Sequence, residues 1–430
     1  MNTPVRIQIM PGVWLSAIQT RKFKSSFWSV LLLTPLQEDS AAMTALLPRV
    51  LNRGTARYPD RRQLTAALEE LYGGTAVPVT AKLGEVQATG FQAAFLDDPY
   101  VLDGRPVSPA AAELMGDLLL RPATKNGRLR QEVILGEREN LTAEIRAQSN
   151  DKMRYAARRL NEEMCRGEAY AVDRLGGEAQ AEGIRPWELD RHYRRLLGES
   201  RVELYYCGSV DADRVAQYWA QALMDIPRKG VAPLGETQWR HRPEELRRVV
   251  ERQDVTQAKL AIGLRTNTRL DSGEYPALMV ANTVLGGAPS SKLFQNVRER
   301  QSLCYYAMST LDCHKGLMGI HAGVAPEQAE RAEQAVFDQL HALQDGNLTR
   351  QELEAAKGHL CNALRSSMDS HGGLYGFYVD QTQSAAPVTV EEQLARLEQV
   401  TAEETVRAAQ MLQADTVYLL TGEEERHETA

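Results

Sequence analysis

The chain carries eight histidines among its 430 residues, and none precedes His192. No imidazole in the first 191 residues is therefore available to hold a metal or move a proton. Cysteine is sparse as well: Cys165, Cys207, Cys304, Cys313 and Cys361 are five, widely spaced and free of any C-x-x-C pair. That pattern indicates neither a disulfide framework nor a cysteine zinc site, and it fits a reducing compartment. No stretch approaches the roughly 20 apolar residues that cross a bilayer. The opening residues alternate apolar and polar rather than forming the continuous apolar run of a signal peptide, so the expected location is cytoplasmic, without a membrane partner. A basic excess is also missing. With 50 Lys+Arg against 57 Asp+Glu, a net charge of -7 and a pI near 5.8, the chain is not built around nucleic acid. Nor is there a G-x-S-x-G, a Ser/His/Asp set or an alternative metal cluster from which to assemble an autonomous hydrolase.

What is present is an ordinary folded composition, 43% hydrophobic and 25% charged. At 430 residues the chain exceeds what one core organises, roughly 250–300 residues, so two or more domains are expected. Val5–Ile9 and Val13–Ala17 flank the Pro11-Gly12 turn, and with Phe27–Leu33 they predict a small antiparallel sheet. Ser40–Leu51 has helical spacing and stops at Gly54-Thr55, with Pro48 expected to kink it. Further helices are expected at Arg61–Leu71, at Ser108–Leu120 with Ser108 as its cap, at two places within Leu129–Met164, and at Arg185–Leu197 and Asp211–Met224. Thr75–Phe95 reads as two strands and Val202–Val210 as another.

Residues 226–245, rich in Pro and Gly, read as a linker between a domain at 1–225 and a second at 246–430. The second half then repeats the order of the first. Strand Ala258–Leu264 precedes a helix at about Tyr275–Leu285, Tyr306–Val324 alternates as strands, and helices follow at Pro326–Leu343 and Thr349–Met368. Arg130-Gln131-Glu132 recurs as Arg350-Gln351-Glu352, and Tyr205-Tyr206-Cys207-Gly208 parallels Leu419-Leu420-Thr421-Gly422. The expected fold is α+β, two tandem homologous domains in which helices pack on a mainly antiparallel sheet.

The stretch Ser290–Tyr306 holds the chemistry. An amphipathic helix presents Leu293, Phe294 and Val297 on one side, so Arg298 falls at its end and Tyr305 just beyond. A guanidinium fork and a phenol can converge on one carbonyl oxygen, as an acyl-transfer transition state requires. By pattern alone, Arg298, Glu299 and Arg300 also read as a solvated helix face and Tyr305 as core. The preceding Gly286-Gly287 reads either as a loop ending a helix or as a flexible, substrate-binding lip. A metal at His314 and His321, near Cys313, would require both on one strand face, and they are read as surface and loop histidines; His371 is read as a hinge or loop residue.

Ser291-Lys292-Leu293-Phe294, Val297-Arg298-Glu299, Leu303 and Tyr305 together resemble the S-R-L-F…V-R-E-x-x-x-L-x-Y segment of the insulinase/pitrilysin family, to which the mitochondrial processing peptidases belong. Lys292 stands where the family has Arg. The resemblance puts the family's substrate-holding arginine and tyrosine on Arg298 and Tyr305. Active members carry an inverted zinc motif, H-x-x-E-H, on the helix ending in a Gly-Thr pair. Anchoring on Gly54-Thr55 puts its histidines at Ala45 and Arg49 and its glutamate at Pro48, so all three are lost. The third ligand position falls on Glu144, read here as a helix-surface or paired residue.

The resemblance, over nearly the full length, is to the non-zinc subunits of bacterial heterodimeric pairs, including the elongation factor P modification-associated type. It implies clam-like subunits around a chamber, a zinc-bearing homologous partner, a peptide or leader-peptide substrate, and no cofactor in this chain. Such a chain would be inactive alone, supplying Arg298 and Tyr305 to the partner's site. The alternative is a structural family member without proteolytic role.

Overall fold

The computed structural model describes residues 4–238 and 245–422. Two compact units are formed, one from Met1–Ala147 with Val172–Glu236 and the other from Gln148–Ala171 with Thr237–Ala430.

The first unit begins with β1 (Val5–Met10), β2 (Val13–Gln19) and β3 (Ser25–Pro35), followed by α1 (Ala41–Leu51), α2 (Arg61–Glu70), β4 (Thr75–Leu83) and β5 (Val86–Leu96). Then come α3 (Ser108–Leu120), a minimal hairpin of β6 (Thr124–Lys125) and β7 (Arg128–Leu129), and α4 (Gln131–Ala147). After α5 (Lys152–Met164), which belongs to the second unit, the chain returns as α6 (Glu178–Gly183), α7 (Pro186–Glu199), β8 (Arg201–Gly208) and α8 (Ala212–Ala222). The strands form one sheet in the order β1-β2-β8-β3-β5-β4. The expected opening sheet is therefore split, because β8 inserts parallel to β2 and antiparallel to β3. Its near-continuous apolar run suits β3 to this central place, where both faces are covered.

Pro48 does not end α1. The carbonyl its missing N–H would have bonded is that of Thr44, and the Thr89 hydroxyl of β5 donates to that oxygen at 3.1 Å instead. Gly54 stops the helix at φ +151, where a Cβ would lie 2.5 Å from the Pro59 carbonyl oxygen. Ser108 is not a cap as expected. It is the first residue of α3, its buried hydroxyl has no partner, and Asp98 Oδ1 accepts from the Val107 and Ser108 N–H groups.

The second unit has β9 (Arg247–Arg252), β10 (Ala258–Arg265), α9 (Tyr275–Asn282), π-helical turns at Thr283–Gly287 and Leu293–Arg300, β11 (Cys304–Asp312) and β12 (Leu317–Val324). It closes with α10 (Ala329–Gln344), α11 (Arg350–Ser367), α12 (His371–Asp380), α13 (Val390–Gln399), α14 (Ala402–Gln410) and β13 (Gln413–Thr421). Its sheet order is β11-β12-β10-β13-β9. Read from the other edge of the first sheet, β4-β5-β3-β8-β2 is the same arrangement, and the pairings agree one by one. In each unit the last strand in sequence runs parallel to the first of these five and antiparallel to the second. The internal repeat is thus a repeat of topology.

Residues 148–171 pack with the second unit, although the sequence groups them with 1–225. The reason is a face: Ala156 and Leu160 of α5 are buried against Ala261, Tyr418 and Leu420, on the side of the sheet away from Leu260, Ile262 and Leu264. Gly263 makes room for Met164, whose sulfur would lie 2.6 Å from a Cβ there. Polar ties complete the seal, with Glu168 bonded to Lys315 at 2.6 Å, a wholly buried pair, and Arg265 donating to the Met164 carbonyl at 2.8 Å. Within the expected linker, Lys229 and Ala232 donate backbone hydrogen bonds to Gly198 and Glu199, so this part is strapped to the end of α7; 239–244 lie outside the described residues.

Candidate functional site

In the first unit, α1 turns toward α4 the positions that the family resemblance assigns to zinc. Ala45 and Pro48 are buried and offer no ligand atom. Arg49 reaches Glu144 at 2.6 Å. One turn on, Arg53 donates through Nε to Glu137 at 2.5 Å, and Asn140 adds a bond to the same carboxylate at 3.3 Å. Glu137 lies seven residues before Glu144, two turns along the same face of α4, and is the more deeply buried, with 9% of its side chain exposed against 43%. Sequence reading passed over it, and that spacing is the signal that could have found it.

A cavity of about 480 Å³ opens here, lined by Arg49, Arg53, Arg61 and Arg174 with Glu137 and Glu144. Four permanent cations against two carboxylates, both carboxylates already paired, make a poor host for a divalent cation. The donor set does not fit zinc.

His192 of α7 reaches the adjacent part of α1, its Nε2 2.9 Å from Thr44 Oγ1. Arg195 donates to Nδ1 at 3.2 Å, so Nε2 carries the proton and donates to Thr44. Burial first, and Arg195 second, push its pKa down to about 4. It is a neutral structural imidazole.

In the second unit the Arg298 segment is π-helical rather than α-helical. The Gln301 N–H bonds the Asn296 carbonyl at 3.2 Å and the Leu303 N–H bonds that of Val297 at 3.1 Å, while Leu293 and Val297 are fully buried. These bonds fix the turn through Ser302, which sits at φ +52, and deliver the chain into β11. The Arg298 guanidinium lies 4.5 Å over the Phe294 ring, its side chain 38% exposed. Its positive charge reaches Cys304, whose thiol burial raises to about 11 and Arg298 partly lowers.

Tyr305 is 64% exposed, on the edge strand of the sheet. Cys304 pairs with Val324 and Tyr306 with Gly323, which leaves Tyr305 as the extra residue of a β-bulge. Bulges at sheet edges re-aim side chains. Tyr305 is thus not core, and Arg298 before the Ser302 turn and Tyr305 after it are both exposed.

The neighbouring positions are structural. Lys292 is buried and bonded to Glu352 at 2.8 Å. Gly286 is no lip: it is buried in the π-helical turn, where a Cβ would lie 2.6 Å from the Ser309 backbone nitrogen, and Gly287 ends that turn. His314 lies in the turn between β11 and β12, as a loop residue should, whereas His321 and His371 do not lie in loops. His321 lies within β12, its pKa pushed down to about 4 by burial. His371 is the first residue of α12, and half-buried His314 faces Asp380 at 3.3 Å.

A family model described as the peptidase M16 inactive domain matches residues 184–360. A probable inactive metalloprotease of Bacillus subtilis, YmfF, is 32% identical over 415 residues, covering 96% of each chain. An uncharacterized zinc protease of Mycobacterium bovis is 26% identical over 71% of this chain and 69% of its own. Among solved structures, a conserved protein from Enterococcus faecalis superposes with a TM-score of 0.89 at 26% identity, covering 98% of this chain and 99% of the other. A protease from Helicobacter pylori shares the fold, with a TM-score of 0.83 at 14% identity over 98% and 100% of the two chains. No helix among the described residues is long and apolar enough to cross a membrane. Reach and identity of the first of these relatives, together with a fold shared end to end, make this chain a metalloprotease-like member of the peptidase M16 family, the insulinase/pitrilysin family its sequence resembles.

Proposed function

We propose that this chain is the non-zinc subunit of a heterodimeric metallopeptidase, inactive alone and completing the active site of a zinc-bearing homologue. The observation that carries this is a contrast between two places. The residues at the zinc positions cannot hold a metal, because Arg49 occupies one of them and neutralises Glu144. Arg298 and Tyr305, by contrast, stay exposed and free of any strong ion pair, the nearest carboxylate to Arg298 being that of Glu299 at 3.7 Å. An exposed tyrosine and a guanidinium held by a ring contact and one long, exposed ion pair add little to stability, so their use lies in what they can grip.

The partner supplies the metal and the water chemistry. This chain contributes the Arg298 fork and the Tyr305 hydroxyl as donors to the peptide carbonyl or the oxyanion that develops from it. The substrate is a peptide or an unfolded segment, leader peptides included, and β11 offers an open strand edge beside the pair.

Co-expression with a zinc-bearing homologue, followed by size exclusion and peptide cleavage, tests this. Tyr305→Phe and Arg298→Lys should each assemble normally and lower turnover by ~10²–10³. Lysine fails because it replaces a fixed fork with a point charge. Full activity of both variants, or cleavage by the isolated chain, would refute the proposal; assembly without any cleavage would favour a scaffold role.

A further inference from the structure

Among the described residues, one group of three metal-ligating types comes together, and it shares no residue with either place discussed above. Cys313 and His314 form the turn between β11 and β12, and Asp380 closes α12. One ligand atom from each lies within 4.8 Å of the others. His314 Nε2 and Asp380 Oδ1 are 3.3 Å apart. Two ligand atoms at about 2.0–2.1 Å from a tetrahedral ion stand about 3.3–3.4 Å from each other, so this edge already has the right length.

The turn is built to hold these atoms. Asp312 Oδ1 accepts the backbone N–H of His314 and of Lys315 at 3.0 Å each, and the Tyr170 hydroxyl bonds its other oxygen. Asp312 is thereby engaged in shaping the turn, while Lys315 points away to Glu168 at 2.6 Å. The His314 side chain is 14% exposed and that of Asp380 is 48% exposed, so the group has one enclosed side and one open to water.

We propose that Cys313, His314 and Asp380 bind one Zn²⁺, with water in the fourth position. Thiolate, imidazole and carboxylate are the donors that zinc accepts together, and one thiolate with one carboxylate balances its charge at a half-buried place. The ion would join the β11–β12 turn to the end of α12, two segments already linked by the His314–Asp380 contact. It is independent of the zinc assigned above to a partner chain, and it runs against the sequence expectation of no metal in this one. Metal found in the isolated protein would then be no sign of a peptidase centre in the first unit.

The test uses the full chain stripped with chelator and titrated with Co²⁺ and Zn²⁺. One Co²⁺ per chain should bind with a near-ultraviolet thiolate-to-cobalt charge-transfer band, Zn²⁺ should displace it, and Zn²⁺ should raise the melting temperature. Cys313→Ser should abolish the band and Asp380→Asn should weaken binding at least tenfold, whereas Glu144→Gln should change neither. Circular dichroism of the metal-free variants checks their fold. Absence of the band in the wild-type protein, which needs no variant, overturns the site, as does a band that survives Cys313→Ser. Failure here leaves the heterodimer untouched, since that is read from cleavage by the reconstituted pair.

Discussion

Arg49 and Glu144 meet at 2.6 Å between α1 and α4, a cation and an anion where the family resemblance assigns two ligands of one metal. The pair keeps charge compensated at that place without any ion. Arg53 and Glu137 repeat the device one turn further along α1.

The two pairs should differ in their contribution to stability. Glu144 is 43% exposed, so Glu144→Gln should cost less than about 1 kcal/mol. Glu137 is 9% exposed and also serves Asn140, so Glu137→Leu should cost more, about 1–3 kcal/mol, even though Arg53, 40% exposed, can turn to water. Urea unfolding of both variants checks the order; equal effects would show that burial is not what separates them.

The proline in α1 allows a double-mutant cycle. Thr89→Val removes the donor to the Thr44 carbonyl, leaving it unbonded at an expected cost of about 1–3 kcal/mol. In a Pro48→Ala background the new N–H can serve that carbonyl, and the same Thr89→Val change should cost distinctly less. Additive effects would mean that the hydroxyl is not standing in for the missing helix bond.

Gly286→Ala should destabilise the second unit by about 1–3 kcal/mol, because the methyl meets the Ser309 backbone rather than a movable side chain. Gly372→Ala, with open space around it, should be nearly neutral or slightly stabilising. A neutral Gly286→Ala would restore the flexible lip read from the sequence.

Acid should unfold the protein in two stages. His192 and His321 have folded pKa values near 4, below the ordinary 6.5, so the unfolded chain takes up protons first. Their contribution is complete above about pH 6.5 and is lost as pH falls toward 4, about 3 kcal/mol each at most. Burial alone would raise Glu251, but hydrogen bonds from Tyr155, Tyr418, Gln253 and Arg159 outweigh it and hold its pKa at about 2. Its share is present above about pH 4.5 and disappears toward pH 2. Stability measured against pH should lose the upper slope partly in His321→Gln and the lower slope partly in Glu251→Gln; unchanged slopes would contradict these assignments.

The elements were legible because their signals are local. Apolar spacing placed α1, α3 and α7 within a residue or two, and the break at Gly54 follows from a backbone angle that glycine tolerates. The missing ligands were legible for the same reason, since a loss at Ala45, Pro48 and Arg49 needs no coordinates to be seen. Other features depend on partners far along the chain. That Pro48 is tolerated rests on Thr89, and Ser108 yields its capping role to Asp98. Tyr305 is exposed because the bulge in β11 is set by the register of β12.

The amino-acid order by itself determined helices such as α1, α3 and α7 and the loss of the zinc motif, because each is written in spacings of a few turns, and it showed the duplication as a repeated order of elements. Only the tertiary structure decided that α5 joins the second unit, that Glu137 is the more buried of two carboxylates, and that Asp380 comes to stand beside Cys313 and His314. Those outcomes depend on which faces a folded chain can bury together, and sequence periodicity names a face without naming what will cover it.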